Sequence, residues 1–141
     1  MERSRAITKG NVSADELTPL RHGRGESRRI VRSESFDSDL TANLVTVKSG
    51  SEPGPYHYHA GAATFYLVLQ GQVRFIVDGD VIDASAQEGC FMEAGVPHAT
   101  HNVSGDEDAT ILLVFDHPTE GDFVEVPLPD PDVYSQPWKA N

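Results

Sequence analysis

A series of short β-type segments separated by turn residues limits this chain to an all-β fold. The strongest local signal is Asp78-Gly79, which stands between the apolar runs 73–77 and 81–82. An Asp-Gly pair in this setting is typical of a tight β-hairpin, because its turn needs residues that tolerate a positive φ. Residues 110–115 are almost continuously apolar, which predicts a central strand. Further strands are predicted at residues 41–48, 65–69, 90–92, 99–103 and 123–126, and no convincing helix precedes the C-terminal tail.

The chain has 141 residues, the usual size of one domain, and no internal repeat divides it. Residues 1–35 show little periodicity, so we expect an extended arm with a short strand near residues 30–31. Residues 36–126 hold the predicted strands and are interpreted as the β-domain. Residues 127–141 form a tail rich in Pro and Asp, which we expect to lie as irregular structure on the surface, with Trp138 at its end.

Charge is distributed unevenly along the chain. Eight of the 11 Lys and Arg residues lie in the first 32 positions beside four acids, so that segment carries +4. The remaining 109 residues hold three basic and 18 acidic residues and carry −15. Such an acidic body argues against binding to nucleic acid or to an anionic membrane. We expect the basic arm to lie on an acidic surface, either its own or that of a second copy in a homodimer.

The sequence predicts a cytoplasmic location. No apolar run approaches the length of a membrane span, and the polar N-terminal residues do not resemble a signal peptide. A single cysteine, Cys90, excludes a disulfide within the chain.

Three histidines form the candidate site. His57 and His59 are separated by one residue at the start of a predicted strand, so their side chains point to the same face. His98 follows the turn Gly95-Val96-Pro97. If these strands lie in one barrel, the three rings can meet at a single ion. Imidazole suits zinc, copper, iron and nickel, so the pattern predicts a metal site.

The segments around these histidines resemble the two motifs of the cupin superfamily. The first motif has two histidines separated by one residue, then a glutamate, then a glycine, and residues 57–71 follow it up to Gly71. The second motif ends in a proline and a glycine, followed by a histidine and an asparagine, and residues 93–102 follow it in Gly95, His98 and Asn102. The resemblance covers about residues 44–116 and implies a cupin-type jelly-roll β-sandwich or barrel.

The chain departs from the cupin pattern at the acidic position. The family glutamate falls on Ala63 or Thr64, neither of which can supply a carboxylate. The resemblance therefore implies three metal ligands, the histidines 57, 59 and 98, and not four. Three neutral imidazoles leave the charge of the ion uncompensated, which makes it a stronger Lewis acid. They also leave coordination positions open, which is the mark of a catalytic site.

Four further residues are candidates for the surroundings of the metal. Glu93 could be a relocated fourth ligand, although a solvent-facing glutamate is the commoner case. Thr64 could hold a metal-bound water through its hydroxyl or be a plain strand residue. Asn102 has the same strand parity as the third histidine, so we expect it to face the cavity and orient a ligand or a water. Tyr66 is expected in the core or the cavity wall, and His101, of opposite parity, on the surface.

Three functions remain open from the sequence. The first is a metalloenzyme, an iron-dependent dioxygenase acting on a small organic substrate. The second is a non-oxidative zinc- or nickel-dependent cyclase or isomerase of an aromatic or polyketide natural product, and the third is a non-catalytic small-molecule-binding cupin. One divalent transition metal is expected, with iron first and zinc, nickel, manganese or copper as alternatives.

Overall fold

The computed structural model describes residues 17–31 and 38–139 of the chain. Within these residues the backbone is almost entirely β-structure, with two short 3₁₀ turns at Arg21–Gly23 and Pro131–Tyr134. The strands are β1 (Leu17–Pro19), β2 (Gly25–Val31), β3 (Thr41–Val47), β4 (His57–His59), β5 (Thr64–Gln70), β6 (Val73–Val77), β7 (Asp80–Ala84), β8 (Gly89–Met92), β9 (His98–Asn102), β10 (Ala109–Phe115) and β11 (Phe123–Glu125).

The strands form two antiparallel sheets that pack face to face. The six-stranded sheet has the order β1-β2-β3-β10-β5-β8, and the five-stranded sheet has the order β11-β4-β9-β6-β7. Alternate side chains of both sheets point inward and remove their apolar surface from water, which is the main stabilising term of such a sandwich. The core between the sheets consists of Val45, Val47, Tyr66, Val68, Val73, Phe75, Ala84, Met92, Ala109 and Ile111. The fold is a jelly-roll β-sandwich, as the sequence predicts.

The two strongest local predictions are confirmed. Val77 pairs with Asp80, so Asp78 and Gly79 form a two-residue turn between β6 and β7. Both turn residues have a positive φ, 49° and 85°, as the favoured hairpin turn requires. Strand β10 lies between β3 and β5 in the six-stranded sheet, so it is the central strand that its almost continuously apolar sequence predicts.

The N-terminal segment is more regular than the expected extended arm. Strand β2 pairs with β3 from Gly25 to Val31, and β1 pairs with β2, so both extend the six-stranded sheet. Polar residues dominate β2, and the strand forms because the edge of β3 offers unpaired backbone groups. Residues 1–16 and 32–37, which also belong to the predicted arm, lie outside the described residues. The division of the chain at residues 35 and 126 remains a prediction.

The C-terminal tail lies on the outer face of the five-stranded sheet. It is irregular, as predicted, apart from its 3₁₀ turn, but it is firmly attached. Val133 is buried in a second apolar cluster with Tyr56, Ile76 and Ala99. The buried Arg74 donates hydrogen bonds to the tail carbonyls of Val133, Tyr134, Gln136 and Pro137. Within the described ranges no helix has the length and apolarity to cross a membrane.

Candidate metal centre

The topology brings the three predicted histidines together. Strands β4 and β9 are neighbours in the five-stranded sheet, and His57 pairs directly with His98 across them. His59 lies two residues further along β4 and points to the same face. One ring nitrogen from each histidine lies within 4.8 Å of the others. Such a spacing allows all three nitrogens to bind one ion.

Each imidazole is held by a hydrogen bond at its Nδ1 atom. The Nδ1 of His57 lies 2.8 Å from the carbonyl oxygen of Pro55, and that of His98 lies 3.0 Å from the carbonyl oxygen of Val96. The Nδ1 of His59 lies 2.9 Å from a carboxylate oxygen of Asp122. These oxygens can only accept, so each Nδ1 carries the proton and each Nε2 keeps a free lone pair. This is the tautomer that a metal ligated through Nε2 requires.

The environment favours the neutral form of two of the imidazoles. Burial, aided by the nearby His98 and His59, lowers the pKa of His57 to about 4. Burial is also the main reason that the pKa of His98 is lowered. The Nε2 of His98 is buried and has no hydrogen-bond partner among the described residues. A buried nitrogen without a partner costs free energy, and a metal ion would satisfy it. The donor set therefore fits a transition metal.

Three aromatic side chains pack against the imidazoles and fix their planes. Phe123 stacks on His57, with ring centroids 4.4 Å apart and an angle of 22° between the planes. Phe115 meets His59 edge-on at 5.0 Å. Tyr66, predicted in the core or the cavity wall, is buried and approaches His98 at 5.9 Å. This packing limits rotation of the rings before any metal binds.

Asp122 is the functional residue that sequence reasoning missed. One of its carboxylate oxygens accepts the hydrogen bond from His59, and the other accepts from the backbone N–H of Gly61 at 3.4 Å. Its carbonyl oxygen accepts from the N–H of Ala60. Asp122 thus joins the loop after β4 to the turn before β11. It lies 63 residues from His59 and outside both motifs, so the sequence carries no signal for this contact.

The other predicted neighbours of the metal differ in where they lie. Glu93 is exposed and is not part of the histidine cluster, so it does not supply a fourth ligand there. Thr64 is buried and does not line the cavity, and its contact with a metal-bound water stays a prediction. Asn102 donates to the carbonyl oxygens of Val47 and Glu107 and accepts from the N–H of Ser104, so it organises the turn after β9.

The expectation that Asn102 orients a ligand or a water at the metal was wrong, because Asn102 lies too far along β9 from the histidines. Its parity is the same as that of His98, but it lies four positions further along the strand, which places the two about 13 Å apart. His101 was also misplaced, since the tail covers it. Its ring lies 5.5 Å from that of Tyr134, and burial, aided by Arg24 and Arg74, lowers its pKa to about 4. Parity predicts which way a strand residue points, but not what packs on it.

A cavity of about 210 Å³ lies beside the histidines, between the two sheets. His57, His59 and Tyr66 line it, and Arg24, Ser27 and Thr100 add polar groups. Its remaining wall is mainly apolar, from Leu20, Val45, Val47, Ile111, Leu113, Phe115 and Phe123. The volume is below the range of roughly 300–1,000 Å³ typical of drug-sized ligands, so it suits a molecule of one or two rings.

The fold is similar to those of several solved proteins. The polyketide cyclase RemF from Streptomyces resistomycificus matches with a TM-score of 0.72 and 16% identity, over 92% of this chain and 91% of that one. KdgF from Halomonas sp. matches with a TM-score of 0.69 and 14% identity, over 81% and 96%. Oxalate decarboxylase from Bacillus subtilis matches with a TM-score of 0.69 and 20% identity, over 85% of this chain but only 33% of the enzyme.

The sequence itself was compared with curated proteins and with family models. No curated protein matches the chain. The family model described as the cupin domain matches residues 43–115, nearly the range in which the two histidine motifs were recognised. Together with the jelly-roll fold and the histidine cluster between its sheets, this match shows that the chain belongs to the cupin family.

Proposed function

We propose that this cupin is a metalloenzyme that acts on a small, largely apolar organic molecule. His57, His59 and His98 would hold one divalent transition metal through their Nε2 atoms. The observation that carries the proposal is the convergence of these three nitrogens, each on a ring whose Nδ1 is already bonded. The adjacent apolar cavity gives the substrate a place beside the metal.

The protein's own contribution is positioning and exclusion of water. The oxygens of Pro55, Val96 and Asp122 hold the rings in the ligating tautomer. Phe115 and Phe123 shield two of the rings and form part of the apolar wall. A metal bound there would supply Lewis acidity to a substrate oxygen, and iron would also supply redox chemistry with oxygen. Among the described residues, the cluster contains no carboxylate to reduce the charge of the ion.

Two reaction classes are compatible with this site. An iron-dependent dioxygenase, the first hypothesis from the sequence, needs the open positions that three protein ligands leave. A specific observation favours a second candidate, a non-oxidative cyclase or isomerase. The likeness to the polyketide cyclase RemF extends over nine-tenths of both chains, beyond the cupin motifs into the flanking segments.

Metal analysis tests the proposal directly. We expect the wild-type protein, reconstituted with iron(II) or zinc and desalted, to keep about one equivalent of metal per chain. His98→Ala should keep less than about a tenth of that amount, because two imidazoles seldom hold such an ion. His117→Ala is the matched control, since that histidine is exposed and lies outside the cluster. Equal metal content in wild type and His98→Ala would refute the site.

Oxygen dependence separates the two reaction classes. Iron and zinc forms would be incubated with a panel of small phenols, enols and β-diketones, in air and under argon. A dioxygenase should turn over only as the iron form in air, with oxygen consumed in proportion to product. A cyclase or isomerase should work with zinc under argon at an undiminished rate. Tight binding without turnover in either form would support the non-catalytic hypothesis.

A further inference from the structure

Arg24 is a buried cation in the wall of the histidine cavity. It precedes strand β2, in the N-terminal segment outside the range of the cupin family match, and its side chain is only 6% exposed. It lines both the histidine cavity and an adjoining surface cleft formed by residues such as Arg21, Glu52 and Glu125. Arg24 therefore lies where the interior of the site meets the outer surface.

The guanidinium of Arg24 is only partly satisfied by the protein. Its Nε donates to the carbonyl oxygen of Glu52 at 3.0 Å, and its Nη2 donates to the carbonyl and hydroxyl oxygens of Thr100 at 3.3 Å. Within residues 17–31 and 38–139, Nη1 makes no hydrogen bond and no carboxylate forms an ion pair with Arg24. A charge taken out of water without an opposite charge is costly, so an anion bound beside Arg24 would be stabilised by it.

The surroundings of Arg24 contrast with those of the other buried arginine. Arg74 is bonded through two of its nitrogens to the carboxylate of Asp83, which compensates its charge. None of the described residues that line the histidine cavity is an acid, so Arg24 has no such partner among them. Arg21, three residues earlier, is exposed and pairs with Glu125 at 3.1 Å. Among the described residues, Arg24 is thus a buried cation beside the histidine cavity that no carboxylate pairs with.

The chain also makes room for the guanidinium. A Cβ atom at Gly54 would lie 2.7 Å from Nη2 and 2.9 Å from Nη1 of Arg24, so a larger residue there would push the guanidinium out of this position. The carbonyl oxygen of the next residue, Pro55, holds the imidazole of His57. One short loop therefore contacts the guanidinium and orients a candidate metal ligand, and Arg24, His57 and His59 all line the same cavity.

We infer that Arg24 binds an anionic group of the substrate, so that the substrate class of this site is a small organic acid. A carboxylate is the group that best matches the free edge of a guanidinium, which offers planar, charge-assisted hydrogen bonds. The apolar remainder of the acid would fill the cavity, with its reactive part facing the histidines. The identification of this acid as a substrate rests on the proposed function, but the binding of an anion by Arg24 can be tested without any metal.

The test compares two probes of nearly the same size and shape, one an anion and the other neutral. Benzoate and benzamide are titrated separately into metal-free protein, prepared by dialysis against a chelator, with binding followed by calorimetry or ligand-observed NMR. We expect wild type to bind benzoate at least about tenfold more tightly than benzamide. Arg24→Met should bind both equally, within about twofold. Arg21→Met is the matched control and should keep the preference, because its charge is already paired with Glu125.

A second variant guards against misfolding of Arg24→Met. Gly54→Ala keeps the charge but displaces the guanidinium, and it should also lose the preference for benzoate. If wild type binds the two probes equally, or if Arg24→Met keeps the preference, Arg24 merely fastens the loop at residues 52–55 and the inference fails. A protein that prefers benzoate but retains no metal would overturn the proposed function and leave the anion site standing.

Discussion

At the scale of single residues, some contacts of the site are predictable from the sequence and others are not. His57 and His59 are predictable because strand alternation alone places them on one face. The hydrogen bonds from Nδ1 of His57 and His98 run to carbonyl oxygens only two residues back in the chain, so they follow from local structure. Asp122 reaches His59 across 63 residues without a motif, and only the assembled fold reveals it.

Removing the carboxylate of Asp122 should weaken metal binding without abolishing it. In Asp122→Ala, His59 loses the acceptor that fixes its tautomer and orientation. Such outer partners typically contribute about 10- to 100-fold to metal affinity. Competition with a chromophoric zinc chelator would measure the change. Asp116→Ala is the control, because that carboxylate, in the same loop, bonds only to Ala63 and the exposed His117; an equal loss in both variants would contradict the assignment.

The half-buried ring of His101 predicts an acid-sensitive stability. Burial lowers its folded pKa to about 4, below the unfolded value of about 6.5. The unfolded chain therefore binds the proton more readily, and the free energy of unfolding should fall as the pH drops from 6.5 towards 4. Over this range, the free energy of unfolding of metal-free His101→Phe should fall by about 1 to 2 kcal/mol less than that of wild type. This difference is smaller than the full pKa shift implies, because solvent screens the half-buried ring.

Urea unfolding of both proteins at pH 7 and pH 4.5 gives the required difference. The other titrating groups, including His57 and His98, are present in both chains and cancel in the comparison. Phenylalanine can retain the ring contact with Tyr134, so the substitution removes mainly the proton-binding nitrogens. Identical pH dependence in the two proteins would show that His101 is as freely solvated when folded as when unfolded.

At the scale of elements, prediction succeeded where a strand's own sequence decides its place. The apolar continuity of β10 and the Asp78-Gly79 turn are properties of a few neighbouring residues, and both were correctly assigned. Strand β2 was interpreted as an extended arm, with only a short strand at its end, because its residues are mostly polar. Its regularity comes from pairing with β3, and an edge strand of this kind is specified by its neighbour.

At the scale of the whole molecule, two buried arginines attach the segments that flank the cupin match. Arg24 connects the N-terminal segment to the loop at Glu52 and to Thr100 in β9. Arg74 connects β6 to the C-terminal tail. The family motifs made the central fold predictable, since they cover residues 43–115. The attachment of the flanking segments was not predictable, because it combines these long-range side-chain contacts with strand pairing and packing that the segments' own sequences do not specify.

Arg74 should therefore be a major determinant of global stability. In Arg74→Met, Asp83 would lose its buried counter-ion, which typically costs about 3–5 kcal/mol, and four tail carbonyls would lose their donor. Urea unfolding would measure the loss. Lys48→Met, at an exposed position, is the control and should change stability by less than about 0.5 kcal/mol.

The double variant Arg74→Met/Asp83→Leu separates the loss of the ion pair from the loss of the hydrogen bonds to the tail. Replacing both members of an isolated buried ion pair by apolar residues is often nearly neutral. Here the tail carbonyls would still lack a donor, so the double variant should recover only part of the loss. Full recovery would mean that the tail gains no stability from Arg74.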